Sequence, residues 1–328
     1  MDWTHRLRLR HLQVLLSLAE TGNLSQSAVA LNSSQPGLSK WLKELEEDVG
    51  LPLFERHARG LRPTVYGDAL IQHARRIEAR LDNARDDMQA LRDGGSGLVT
   101  IGTSGVAAAD TVPRAVARLL QQIPRAQVRL QESTMNELLP QLARGELDIA
   151  VGRSAAPNDN PEICVETLYM EPINLVARPG HPLVGRGPLG WNDVFDYPWI
   201  VWPQGTPVRN AMEQALAEAG RTMANHHFVE SNSSILNITL LNHTDLLGVA
   251  SHRSALRFER LNTIRILPIE LAGAAAVSMY WRAENMDRAA VALAIESLRE
   301  CARGLPGEAD YGEPVRGART VTASADRA

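Results

Sequence analysis

The side chains most able to do chemistry in this chain are arranged for holding rather than for reacting. Gln35, Ser39, Lys40 and Lys43 are spaced by four, one and three residues, which places short polar and cationic groups together on one helical face. Gln pairs with adenine edges, Ser with either partner of a base pair, and Lys with guanine or phosphate. A merely solvated helix face would have the same residues, so the flanking sequence has to decide. Downstream, Arg56, Arg59 and Arg62 share a stretch that has one acid, Glu55, at its near end and Gly60 at its tip. Such a stretch reads as a wing whose guanidinium groups meet a phosphate backbone.

Four hydroxyl-rich segments form a second group: Thr103-Ser104-Gly105, Ser133-Thr134, the run Trp202-Pro203-Gln204-Gly205-Thr206, and Ser231-Asn232-Ser233-Ser234. Each follows a predicted strand. In open α/β sheets, ligands lie at the carboxyl ends of strands, against helix N-termini. Any one of the four could be a plain helix cap; together they outline an effector pocket contributed by Thr103, Ser104, Gly105, Ser133, Thr134, Gln204, Thr206, Ser231 and Ser233. No reacting constellation accompanies them. His226-His227 is a doublet at a strand start, not a ligand pair at helical spacing, and there is no G-x-S-x-G elbow, phosphate loop or metal motif. The two cysteines, Cys164 and Cys301, lie far apart and read as idle thiols of a reduced cytosol. An enzyme, a cofactor and a metal are therefore not expected.

These groups need elements to position them. Ser33 or Ser34 can cap a helix with Pro36 in its first turn, and Leu38, Leu42, Leu45 and Val49 give that helix a buried face. Glu44, Glu46, Glu47 and Asp48 lie toward its far end, away from the proposed DNA edge. An amphipathic helix marked by Leu9, Leu12, Leu15, Leu16 and Ala19 precedes it, stopped at Thr21-Gly22-Asn23, and a short helix from Leu24 to Leu31 comes next. Two short helices around the tight turn at Asn32-Ser33 make a helix-turn-helix, with Ser34, Gln35, Pro36, Ser39, Lys40, Lys43, Arg56, Arg59 and Arg62 on its DNA side. Thr64 then caps a long helix to about Leu91. Its apolar residues Leu70, Ala74, Ile77, Leu81, Ala84, Met88 and Leu91 alternate at four and three, a heptad seam. A narrow seam of this kind pairs with a second copy of itself, through Ile77, Leu81, Ala84 and Met88.

Asp93-Gly94-Gly95-Ser96-Gly97 reads as a hinge. Beyond it, strands alternate with helices, which indicates α/β architecture with largely parallel sheets. The stretch from Gly304 to Ala328 is rich in Gly, Pro, Ala and charge and reads as a disordered tail. The chain has 328 residues, 44% of them apolar, and a net charge of −4. Residues 1 to 62 hold eight Lys or Arg against seven Asp or Glu, so DNA contact rests on where the cations sit and not on their sum. Arg6, Arg8 and Arg10 precede a short apolar run that lacks a cleavage site, and no run is long enough to span a membrane. The expected location is the cytoplasm.

The motifs Ala19-Glu20-Thr21-Gly22-Asn23-Leu24, Ser34-Gln35-Pro36-Gly37-Leu38-Ser39, Gly50-Leu51-Pro52-Leu53-Phe54-Glu55-Arg56 and Pro63-Thr64 with Gly67 resemble the N-terminal domain of LysR-type transcriptional regulators. One departure is Ser25-Gln26-Ser27-Ala28, where the family usually has Ser-Arg-Ala-Ala; one phosphate contact is lost with the arginine. The runs Leu142 to Ala150 and Pro179-Gly180-His181-Pro182-Leu183 resemble the same family's effector domain. The resemblance implies a winged helix-turn-helix (1–63), a dimerising linker helix (64–92), a hinge (93–97) and a two-lobed effector domain similar to type 2 periplasmic binding proteins (98–303). The first lobe would span about 98–170 and 272–303, the second about 171–271, with crossings near Tyr169–Pro172 and Pro268–Ala274. It further implies as partners double-stranded operator DNA, a small-molecule effector, a second copy in a dimer or dimer of dimers, and RNA polymerase. Segments Ser231–Leu241 and Val165–Asn174 look like members that respond to sugars or to aromatic and organic acids. A solute-binding protein would share the two lobes but not the helix-turn-helix.

Overall fold

A computed structural model describes residues 3–57, 60–92, 97–154, 158, 160–224, 226–271 and 275–303. The chain divides into two compact units, one formed chiefly by residues 1–89 and the other by the chain from Ala90 onward.

The first unit begins with α1 (Leu9–Thr21), α2 (Leu24–Ala30) and α3 (Gln35–Val49). Each start and stop has a local cause. Gly22 ends α1 in the left-handed region at φ 61°, where a Cβ would be strained. Asn23 caps α2, its side chain accepting from the backbone N–H groups of Ser25 and Gln26. Ser34, and not Ser33, caps α3: its Oγ accepts from Gly37 N at 3.2 Å. A two-stranded antiparallel hairpin follows, β1 (Phe54–His57) and β2 (Gly60–Pro63). It is fastened from two sides. Leu61 N donates to Gly22 O at 2.6 Å, and Glu46 Oε1 on α3 accepts from Leu53 N at 2.8 Å and Phe54 N at 3.0 Å. Gly60 packs so closely on the Gly22 carbonyl that no Cβ fits there. Thr64 Oγ1 accepts from Gly67 N at 3.1 Å and so opens α4 (Val65–Arg92). Leu12, Leu15, Leu18, Leu38, Leu42, Leu45, Leu53, Ile71 and Ala74 form the shared core.

The second unit contains β3 (Leu98–Thr103), α5 (Gly105–Ala108), α6 (Thr111–Gln122), β4 (Gln127–Glu132), α7 (Met135–Arg144), β5 (Ile149–Gly152), β6 (Ile163–Glu171), β7 (Ile173–Ala177), α8 (Trp191–Phe195), β8 (Trp199–Val201), α9 (Pro207–Glu218), β9 (Phe228–Glu230), α10 (Ser234–His243), β10 (Leu247–Ser251), α11 (His252–Arg260), β11 (Arg265–Glu270), β12 (Ala275–Arg282) and α12 (Ala289–Ala302). Its strands form two five-stranded sheets, ordered β4-β3-β5-β12-β6 and β11-β7-β10-β8-β9. Each sheet is the core of one lobe. The chain passes from the first lobe to the second at Glu171-Pro172-Ile173 and returns between β11 and β12.

The expectation of largely parallel sheets needs correction. In the first sheet β3 pairs β4 and β5 in parallel, but β12 is antiparallel to both β5 and β6. In the second, β8 is parallel to β9 and β10, whereas β7 is antiparallel to β10 and β11. Chain crossing is the cause, because each crossing strand enters its sheet from the opposite end. The β6 strand, nine residues long, was not anticipated. The expected tail at 304–328 and four residues of the expected hinge, 93–96, lie outside the described residues.

Candidate DNA-reading face and interlobe pocket

On the outer side of α3, Gln35, Pro36, Lys40 and Lys43 are exposed and Ser39 is half-buried. Behind them Leu38, Leu42 and Leu45 are held in the core, so the face is presented by an anchored helix. Arg56 on β1 donates from Nη2 to Ser39 Oγ at 3.4 Å, joining hairpin and helix on this side. Arg62 is exposed on β2; Arg59 lies outside the described residues. The four acids of α3 do more than lie at its far end. Glu44 and Glu47 stand one turn beyond Lys40 and Lys43, with N···O distances of 3.7 and 3.5 Å. Such exposed i,i+4 pairs contribute only about 0.3–0.5 kcal/mol, so a phosphate can displace them. Asp48 pairs with Arg6 at 2.6 Å, and Glu46 clamps the hairpin as described. Ser34 spends its acceptor on the helix cap.

Along α4 the seam has two parts. Ala74 and its neighbour Ile71 are buried in the unit's own core. Farther on, Ile77, Leu81 and Met88 are 40%, 46% and 62% exposed, and Ala84 is exposed too.

Between the lobes of the second unit lies a cavity that opens to solvent, about 930 Å³ of empty space with its open mouth included. Of the nine residues singled out in the sequence for effector binding, Ser104, Gly105, Ser133, Thr134 and Thr206 line it. Four predicted residues do not. Thr103 is buried and donates to the Ser104 carbonyl at 3.2 Å. Gln204 is exposed on a turn. Ser231 and Ser233 are spent on the local turn: Ser231 Oγ accepts from Ser233 N at 3.2 Å, and Ser233 Oγ accepts from Leu236 N at 3.4 Å. Their neighbours Asn232, Ser234 and Asn237 face the cavity instead. Two wall features escaped the sequence reading. One is Arg153, just past the end of β5. The other is Ser251 and Ser254 at the end of β10, where Ser251 Oγ donates to Ser254 Oγ at 2.8 Å. Both lie at strand carboxyl ends, where the rule applied to the hydroxyl segments would have found them.

Arg153 belongs to a buried group at the lobe crossing. Its Nη2 donates to the Glu171 carbonyl at 2.5 Å. Glu171 is 2% exposed, and its Oε1 accepts from Arg253 N, on the other lobe, at 2.5 Å. The Arg253 guanidinium lies 3.6 Å over the Tyr169 ring and donates to the Ala302 carbonyl at 3.3 Å. The Tyr169 and Thr111 hydroxyls bond at 2.8 Å. Burial pushes the Glu171 carboxyl up to about 7, although the Arg253 N–H and the two guanidinium groups pull it down. Burial likewise pushes the Tyr169 phenol up and Arg153 down.

Comparison with known proteins decides the family. Residues 9–68 match the bacterial regulatory helix-turn-helix proteins of the lysR family, and residues 92–303 match the LysR substrate binding domain. The chain belongs to the LysR family of transcriptional regulators. It is 34% identical over 264 residues to the HTH-type transcriptional regulator GbpR of Azospirillum brasilense, covering 80% of this chain and 77% of that protein. The HTH-type transcriptional regulator PcaQ of Agrobacterium fabrum is 28% identical over 298 residues, 90% of this chain and 96% of that one. Full-length CbnR complexed with its target DNA shares the fold with a TM-score of 0.61 at 20% identity, over 90% of this chain and all of that one. As a LysR-family regulator the chain is a DNA-binding protein and not an enzyme. No helix among the described residues is long and apolar enough to cross a membrane.

Proposed function

We propose that this LysR-family regulator works in the cytoplasm, reads its operator through Gln35, Ser39, Lys40 and Lys43, and grips the backbone with Arg56, Arg59 and Arg62. An effector in the interlobe cavity modulates that binding. The exposed run Ile77, Leu81, Ala84 and Met88 serves a second copy of α4, and RNA polymerase is a further partner. The observation that supports the effector site most is that both lobes line one cavity: Ser104 and Thr134 come from the first, Thr206 and Asn237 from the second. A ligand touching both lobes prefers one lobe angle and shifts the population by that difference in affinity.

Filling the cavity tests the proposal. Ser104→Leu from one lobe and Asn237→Phe from the other should each leave operator footprinting intact and abolish its response to inducer. A full inducer-dependent footprint from both variants would place the effector elsewhere.

A further inference from the structure

The start of α11, on the second lobe, is fastened to the first lobe crossing by two backbone N–H groups. His252 N donates to Pro172 O at 3.1 Å, and Arg253 N donates to Glu171 Oε1 at 2.5 Å. Glu171 is the last residue of β6, on the first lobe. The charged and titratable groups around its carboxyl come from four elements: Arg153 just past β5, Arg253 on α11, Asp110 at the start of α6, and Tyr169 on β6 itself. Asp110 in turn faces Arg114 at 3.6 Å.

This carboxyl is only half satisfied. Its Oε2 is buried and accepts no hydrogen bond from the protein. Arg153 spends Nη2 on the Glu171 backbone carbonyl and not on the carboxylate, and its Nε is buried without a partner. A buried carboxylate oxygen with no donor costs far more than the same oxygen in a neutral acid. The arrangement seen here therefore suits a protonated Glu171, with the proton on Oε2 and Oε1 left as the acceptor for Arg253 N. An ionised Glu171 gains from any movement of the crossing that brings water or the Arg153 guanidinium to Oε2. Because Oε1 is bonded to α11, such a movement also shifts or frees the start of that helix.

We propose that Glu171 is a proton-operated latch between the lobes: with its proton it keeps α11 against the crossing, and without it the chain favours a second lobe angle. The inference is independent of any effector. Burial holds the carboxyl at about 7 in the latched arrangement, against an ordinary 4.5. A second arrangement that returns it to water restores the ordinary value, so the ratio of the second to the first should rise about tenfold from pH 6 to pH 8.

Double electron–electron resonance reads that ratio. Gln121→Cys on α6 and Glu218→Cys on α9 put spin labels on exposed positions, one on each lobe. Cys164→Ser and Cys301→Ala remove the native thiols. The labelled full-length chain is diluted into excess unlabelled protein, so that only distances within one chain are read, without DNA or effector. With Glu171 present, two distance populations should exchange weight about tenfold between pH 6 and pH 8. Glu171→Gln cannot ionise and should hold the pH 6 distribution at both. His252, beside Arg253, bonds Asn174 Oδ1 at 2.9 Å and is the neighbouring group that could titrate instead; His252→Gln should leave the exchange in place. One unchanged distribution at both pH values in the chain with Glu171 would overturn the latch, whatever the variants do. So would an exchange that survives Glu171→Gln or disappears with His252→Gln.

Discussion

Gln35 and Arg62 are both exposed on the DNA-binding unit, yet they should fail in different ways. If Gln35 reads a base edge, Gln35→Ala should weaken operator binding by roughly 1–3 kcal/mol and leave random DNA nearly untouched. Arg62→Ala should weaken both alike and flatten the salt dependence by about one charge. Titrations on operator and random duplexes at several salt concentrations separate the two roles, and equal losses for Gln35→Ala on both would remove its base-reading role. Glu171 gives a second residue-scale expectation. Its folded carboxyl is held near 7 against an ordinary value of 4.5, so the folded chain binds the proton more tightly than the unfolded chain. Stability contributed by that proton is fully present below about 4.5 and is lost as pH rises through about 7, a fall on the order of 3 kcal/mol. Glu171→Gln keeps an acceptor for the Arg253 N–H and should flatten this part of the stability profile. Denaturant melts of the full-length protein between pH 5 and 8 check it; an unchanged slope would mean that Glu171 ionises normally. Arg153 and Glu171 were invisible to sequence reasoning because a lone charge at a strand end says nothing of burial until the partner lobe is in place.

At the scale of elements, α4 makes the sharpest claim. Its first turns pack on their own unit, while Ile77, Leu81 and Met88 remain open to solvent. Leu81→Asp would put a charge into the seam that a second helix is expected to cover, and sedimentation should show the dimer dissolving. An assembly of unchanged mass would return α4 to intramolecular packing. The helices were legible because their apolar periods and caps are local: Ser34 and Thr64 each open a helix near where the sequence puts it. The β6 strand was not, because its polarity runs against its burial. Glu171 is inside, and Val165 is 42% exposed. The pocket was half legible for a related reason. A serine at a helix start can line the cavity, as Ser104 does, or serve the turn, as Ser231 and Ser233 do, and only the backbone geometry tells the two apart.

For the whole molecule, the two lobes have corresponding sheets: from β4 and from β9 inward, each runs parallel, parallel, antiparallel, antiparallel. Their paths through the chain differ, however, and this has a consequence for synthesis. The second lobe's sheet is built from one uninterrupted stretch, β7 to β11, whereas β12 of the first lobe lies between β5 and β6 and is translated after the whole second lobe. On the ribosome, then, the first lobe has to wait. Until residues 275–282 emerge, β5 and β6 present open edges with no strand between them, the condition in which nascent sheets associate wrongly. The second lobe can close earlier. Released chains truncated at residue 271, compared with released chains ending at residue 303, should show a protease-resistant second lobe in both and a resistant first lobe only in the longer one. Resistance of the first lobe in the shorter chain would mean that β3, β4 and β5 hold together without the strand between β5 and β6. If the expectation holds, the lobe carrying Ser104 and Thr134 is the last to acquire its shape, and its side of the cavity forms only when translation is nearly complete.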